Sequence, residues 1–152
     1  MDHGMKAAEL FLQGYNCAQA VAVAFCDVTG LDEEFSAKMA SSFGGGMGRL
    51  REVCGAVSGM LMVAGLLYGY TDPGEDDEKK KAHYALVQEL CGKFKEEVGS
   101  IVCREILKNP PSDPNPTPRT AEFYAKRPCA RMVLLAGQIL DSYIAQHPLE
   151  DT

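Results

Sequence analysis

The sequence lacks the features that mark nucleic-acid-binding proteins and secreted proteins. Its 152 residues carry a net charge of −6, and no block of lysine and arginine offers a basic face to nucleic acid or to an anionic membrane. Residues 1–14 contain an early aspartate and only a short apolar patch, unlike a secretory signal. We therefore expect a cytoplasmic protein that binds no nucleic acid.

The sequence also lacks any segment with the alternating pattern of a β-strand, and it has no internal repeat. Apolar residues instead recur at helical spacing in seven segments, which start near residues 4, 17, 32, 50, 75, 100 and 128. The pattern predicts an all-α fold, a single-domain bundle of six or seven helices over residues 1–152. Five prolines interrupt it, and they predict an extended excursion at residues 109–119.

The most apolar segment runs from Val53 to Thr71 and has no charged side chain over 19 residues, roughly the length of a membrane span. Its four glycines, and the amphipathic character of the other helices, favour a buried central helix that other helices enclose. We therefore expect no direct membrane insertion. We also predict that residues 53–68 form the most buried helix.

Six cysteines in a chain of this kind indicate thiols, metal ligands or redox centres rather than structural disulfides. Three of them fall in the first turn of a predicted helix. Cys17 follows the predicted cap Asn16, Cys103 lies three residues after the predicted cap Ser100, and Cys129 directly follows Pro128. Free backbone N–H groups there favour a thiolate, so we expect these thiols to have lowered pKa values and to be reactive or metal-binding. Cys26 and Cys91 fall late in predicted helices and are expected to be packing residues.

Cys54 follows a glycine-rich run, in the stretch "GGGMGRLREVCGAVSG". An open backbone would let a neighbouring helix or a cofactor approach the Cys54 sulfur. The positions of close approach are Gly45, Gly46, Gly55, Ala56 and Gly59. The run lacks the lysine and the serine or threonine of a phosphate loop, and no strand precedes it, so nucleotide binding is not expected.

Simple packing is the competing interpretation of these residues. A free cysteine is a small hydrophobe that is commonly buried, and a glycine run also serves as a helix stop and joint. The four cysteines at 17, 54, 103 and 129 are separated by 37, 49 and 26 residues, which match no C-x-x-C redox motif or zinc finger. Spacing alone leaves open whether these cysteines meet.

Four segments together resemble the family named for its C_GCAxxG_C_C pattern, which is described as redox-active. They are "GYNCAQAV", "GGGMGRLREVCGAVSG", "VGSIVCREIL" and "CARMV", and they extend from Gly14 to Val133. The resemblance implies a set of four motif cysteines: Cys17, Cys54, Cys103 and Cys129. Cys26 and Cys91 lie outside the pattern. The core here places the cysteine before the glycine, whereas the family's title writes these letters in the other order.

The residues and the resemblance lead to one hypothesis, a small cytoplasmic redox protein whose motif cysteines converge in one site. They would act as a reversible dithiol/disulfide or as ligands of an iron-sulfur cluster, with zinc the second choice of metal. A similar domain occurs in a multihaem cytochrome that carries an iron-sulfur centre, but this chain has no C-x-x-C-H haem attachment. We expect Cys17 and Cys54 to be one close pair.

The hypothesis implies electron transfer to a redox partner protein of unknown identity. It is compatible with a homodimer. A different class of function is a helical protein-interaction module in which reduced cysteines are structural. A membrane-associated partner subunit is a third reading of the apolar segment.

Overall fold

A computed structural model describes residues 2–74 and 77–149. Within these ranges it contains nine α-helices and no β-sheet, which confirms the predicted all-α class. The helices are α1 (His3–Leu12), α2 (Cys17–Ala24), α3 (Cys26–Thr29), α4 (Glu33–Ala40), α5 (Gly55–Tyr68), α6 (Asp77–Val98), α7 (Cys103–Ile106), α8 (Ala121–Lys126) and α9 (Cys129–Gln146). The predicted start of the fifth segment near residue 75 lies outside the described residues.

The described helices outnumber the predicted six or seven for two local reasons. The second predicted helix breaks at Phe25, so Cys26 begins the separate short helix α3 rather than lying late in a longer one. An additional helix, α8, follows the prolines, because the Thr120 hydroxyl accepts a hydrogen bond from the Phe123 N–H at 3.1 Å and caps it.

Of the side-chain caps predicted at the helices that carry cysteines, one is confirmed and one is wrong. At α2, Asn16 Oδ1 accepts from the Gln19 N–H at 2.9 Å, and Gln19 Oε1 accepts from the Asn16 N–H at 3.1 Å. This capping box makes Cys17 the first residue of α2. Ser100, the predicted cap of α7, instead accepts from the Val102 N–H at 3.0 Å in a preceding turn, and Val102 is the residue before the helix.

The central helix α5 begins at Gly55, not near Leu50 as predicted. Residues 45–49 form a left-handed turn, with φ between 60° and 70° at each residue. Glycine adopts this conformation readily, whereas Met47 and Arg49 do so at a cost of about 1–2 kcal/mol each. Arg51 has a left-handed φ of 62° as well, and because no helix forms at residues 51–54, Cys54 is the residue that immediately precedes α5.

The most completely buried helix is α2, so the prediction for residues 53–68 was wrong. Six of the eight residues of α2 are buried, compared with seven of fourteen in α5, where Leu66 is 50% exposed. The reason is that α1, α4, α5 and α9 all pack against α2. No helix of the described chain is both long enough and apolar enough to cross a membrane.

Two glycines bring α5 against α2 at backbone distance. A Cβ atom on Gly59 would lie 2.7 Å from the Ala18 carbonyl oxygen and 3.0 Å from the Val21 Cβ. A Cβ atom on Gly55 would lie 3.1 Å from the Cys17 Cβ. The start of α5 therefore lies directly beside the start of α2.

Replacing Gly59 with alanine should destabilise the fold by about 1–3 kcal/mol, because the new methyl group overlaps the backbone of α2. Gly65→Ala is the matched control in the same helix, since a Cβ there meets nothing within 4 Å. That variant should be neutral or more stable by up to ~1 kcal/mol. Urea denaturation measures both, and equal effects of the two substitutions would contradict this packing.

Candidate functional site

The four motif cysteines all line one cavity of about 340 Å³. Cys17, Cys103 and Cys129 are the first residues of α2, α7 and α9, and Cys54 immediately precedes α5. The cavity therefore lies where four helix starts come together. Neither Cys26 nor Cys91 contributes to its lining.

Backbone hydrogen bonds join the segments that carry Cys54 and Cys103. The Cys54 N–H donates to the Ile101 carbonyl at 2.8 Å, and the Cys103 N–H donates to the Glu52 carbonyl at 2.6 Å. An isolated bridge pairs Val53 with Val102 between them. The segments that carry these two cysteines, 49 residues apart in sequence, are thus fixed side by side.

The glycine positions expected to allow close approach divide into two groups. Gly45, Gly46 and Gly55 line the cavity, and a Cβ on Gly46 would lie 2.8 Å from the Cys103 Cβ. Ala56 and Gly59 are buried away from the lining, and what approaches Gly59 is helix α2. These last two residues serve helix packing.

The Cys17 and Cys129 side chains interact at the cavity wall, and the interaction shifts their pKa values in opposite directions. Hydrogen bonding to Cys17, assisted by the charges of Arg127, Arg119 and Arg51, lowers the pKa of Cys129 to about 7 although burial opposes it. The same bond, together with burial, raises the pKa of Cys17 well above its ordinary value. Cys17 is therefore the thiol that stabilises the Cys129 thiolate, and this bond does not involve Cys54, the expected partner of Cys17.

The other two motif cysteines are held as neutral thiols. Burial raises the pKa of Cys54 to about 12, although the N–H groups of Ala56 and Val57 act in the opposite direction. Burial likewise raises the pKa of Cys103 against the effect of Arg51. The expectation of lowered pKa values at Cys17 and Cys103 was therefore wrong, because desolvation and neighbouring thiols outweigh the helix start.

Four arginines, which we call the cavity arginines, also line the cavity: Arg49, Arg51, Arg119 and Arg127. Arg119 was not anticipated, because it lies ten residues before Cys129 and carries no local signal. Its guanidinium group stacks on the Phe11 ring at 4.3 Å and donates to the Phe11 carbonyl at 3.1 Å. Burial and the charge of Arg51 lower the pKa of Arg49, as expected where cations crowd together.

The proline-rich segment forms one wall of the cavity. Pro114, Pro116 and Thr117 are part of the lining, and residues 110–120 contain no helix or strand. The guanidinium group of Arg49 donates to the Asp113 carbonyl and the Thr117 hydroxyl, each at 2.8 Å. The predicted excursion is thus tied back over the cysteines by side chains of the left-handed turn.

Alkylation of Cys129 should follow its thiolate fraction and rise through a midpoint near pH 7. Because the thiolate is the deprotonated form, the rate increases with pH. Cys17→Ala removes the hydrogen-bond donor and should move the midpoint upward, while Cys26→Ala, outside the cavity, should leave it in place. Mass spectrometry of timed iodoacetamide reactions gives the rates, and an unmoved midpoint in Cys17→Ala would contradict the thiol pair.

A family model described as "Putative redox-active protein (C_GCAxxG_C_C)" matches residues 15–143, a range that contains all four cavity cysteines. No curated protein and no solved structure matches the chain. Because the family model covers well over half of the 152 residues, the chain belongs to the C_GCAxxG_C_C family.

Proposed function

We propose that the protein is a thiol–disulfide redox protein in which Cys17 and Cys129 form a reversible disulfide. The observation that carries the proposal is that these two side chains, at the first residues of α2 and α9, lie on the wall of one cavity, where their interaction lowers the pKa of Cys129 and raises the pKa of Cys17. A thiolate beside a protonated thiol is the arrangement that thiol–disulfide exchange requires, because one sulfur attacks and the other resolves the intermediate.

In the proposed reaction the Cys129 thiolate attacks one sulfur of a substrate disulfide. A mixed disulfide forms at Cys129, and the first substrate thiolate leaves. The Cys17 thiol then passes its proton to a leaving thiolate and attacks the Cys129 sulfur. The second substrate thiolate leaves, so two electrons reach the substrate and the Cys17–Cys129 disulfide remains. An external dithiol reductant restores the starting state.

Burial gives Cys54 and Cys103 a different part in this scheme. Each is about 6% exposed, and burial keeps each protonated at neutral pH. A neutral thiol is a weak nucleophile, so these two cysteines do not compete with Cys129 for the substrate.

Equilibration of the protein in a mixture of dithiol and disulfide should produce one intramolecular disulfide, between Cys17 and Cys129. Peptide mapping locates it. Cys17→Ser and Cys129→Ser should each abolish it, whereas the matched substitutions Cys26→Ser and Cys91→Ser should leave it unchanged. A disulfide between another pair of cysteines, or no disulfide at any ratio of dithiol to disulfide in the mixture, would overturn the proposal.

A second candidate function is ligation of an iron-sulfur cluster, which would supply one-electron transfer. It is favoured by the convergence of four cysteines, a complete ligand set for a cluster, in a cavity whose arginines could offset the cluster's negative charge. Cys17, Cys54, Cys103 and Cys129 would hold it. A single zinc ion fits less well, because the described residues contain no group of three ligand side chains arranged to hold one metal ion.

Purification without oxygen distinguishes the two candidates. The dithiol proposal predicts a colourless protein, free of iron and sulfide, in which the Cys129 thiol titrates readily. Visible colour with bound iron and sulfide, lost in Cys54→Ser, would instead support the cluster. Thiols that resist all reagents in a metal-free protein would contradict both and favour a structural role for the cysteines.

A further inference from the structure

Arg51 is a buried cation with an unused hydrogen-bond donor at the cavity. The residue is only 4% exposed, and its Nη2 atom is buried without a hydrogen-bond partner. The rest of the guanidinium group is fixed, since Nε donates to the Pro111 carbonyl at 2.9 Å and Nη1 lies 3.7 Å from the Cys103 sulfur. A buried, charged donor that the protein leaves unpaired indicates an acceptor supplied by a ligand.

Acidic side chains compensate little of the charge around the cavity, where the Asp113 carboxylate acts on Arg49 without forming an ion pair with it. None of the four cavity arginines forms an ion pair with a carboxylate in the described part of the chain; their hydrogen bonds go to carbonyls, to a hydroxyl and to sulfur. Arg104, which does not line the cavity, is by contrast paired with Glu52 at 2.6 Å. In a chain with a net charge of −6, this cluster of cations is an anion-binding feature.

The rest of the cavity lining suits a small organic molecule. Apolar side chains of Phe11, Ile106, Leu107 and Met132 share the wall with the arginines and the cysteines. A volume of about 340 Å³ is at the small end of the range for ligand pockets. A ligand that combines an apolar body with one anionic group would use both parts of the lining.

We propose that Arg51 Nη2, with Arg49 and Arg127 adding positive charge, binds the anionic group of the substrate, and that the substrate is a small disulfide that carries a carboxylate. This inference rests on the proposed thiol–disulfide function. Binding the carboxylate at Arg51 holds the substrate in the cavity that Cys129 lines. A free inorganic oxyanion shares this chemistry, and the experiment below separates the two.

The test compares two probes in a protein whose Cys26 and Cys91 are replaced by serine. One is 5,5′-dithiobis(2-nitrobenzoate), whose halves each carry a carboxylate; the other is the neutral 2,2′-dithiodipyridine. The rate of mixed-disulfide formation at Cys129 is measured with each. The ratio of the two rates reports recognition of the carboxylate, because a change in the reactivity of Cys129 affects both probes.

Arg51→Met should lower the ratio of anionic to neutral rate by about tenfold or more, as expected for loss of a hydrogen bond to a charged group. Arg127→Met should lower it by less, and it keeps the proposal testable if Arg51→Met does not fold. Arg131→Met is the matched control, an exposed arginine two residues after Cys129 that does not line the cavity, and it should leave the ratio unchanged. An unchanged ratio in both cavity variants would overturn the proposal.

Calorimetric titration with sodium sulfate at constant ionic strength gives the second arm. Sulfate binding that requires Arg51, without any preference for the anionic disulfide, would assign the site to an inorganic oxyanion and overturn the substrate proposal. The ratio of mixed-disulfide rates with the anionic and neutral probes requires only the Cys129 thiol to react, whereas the proposed function also needs a disulfide between Cys129 and Cys17. Failure of the one is therefore distinguishable from failure of the other.

Discussion

The approach of α5 to α2 at backbone distance is the constraint on which the site depends. Gly55 and Gly59 have no side chain to hold the helices apart, so the start of α5 reaches the start of α2 and Cys54 comes beside Cys17. The pairing of Val53 with Val102 then adds the start of α7, with Cys103, to the same place. The glycines after which the motif is named thus act mainly by removing steric bulk between helices.

Within this site, burial keeps most of the thiols neutral, and neighbouring groups determine which sulfur carries charge. A helix start favours a thiolate, yet four thiols in one cavity cannot all ionise, because each anion opposes the next and the interior solvates them poorly. Cys129 becomes the thiolate since it receives the Cys17 hydrogen bond and the nearby charges of Arg127, Arg119 and Arg51. The proposed roles of Cys129 as reactive sulfur and Cys17 as resolving thiol rest on this arrangement, and the proposed site for an anionic substrate uses the same group of arginines.

The amino-acid sequence predicted the helical class and the cap at Asn16, because both depend on local patterns. It also singled out three of the cysteines that line the cavity through their predicted positions at helix starts, and the glycine run and the family resemblance added Cys54. It did not predict the late start of α5, since helical periodicity continues through residues 50–54 while the left-handed turn before them redirects the chain. Nor did it predict the Cys17–Cys129 bond or the role of Arg119, because both arise from contacts between segments more than 100 residues apart.

The most direct test of this account is the distance between the sulfur atoms of Cys17 and Cys129 in a crystal structure of the fully reduced protein. The account predicts that the two sulfurs lie within hydrogen-bonding distance at the wall of a cavity that Cys54, Cys103 and Arg51 also line. Sulfurs that lie in separate apolar pockets, with no shared cavity between the four helix starts, would contradict it.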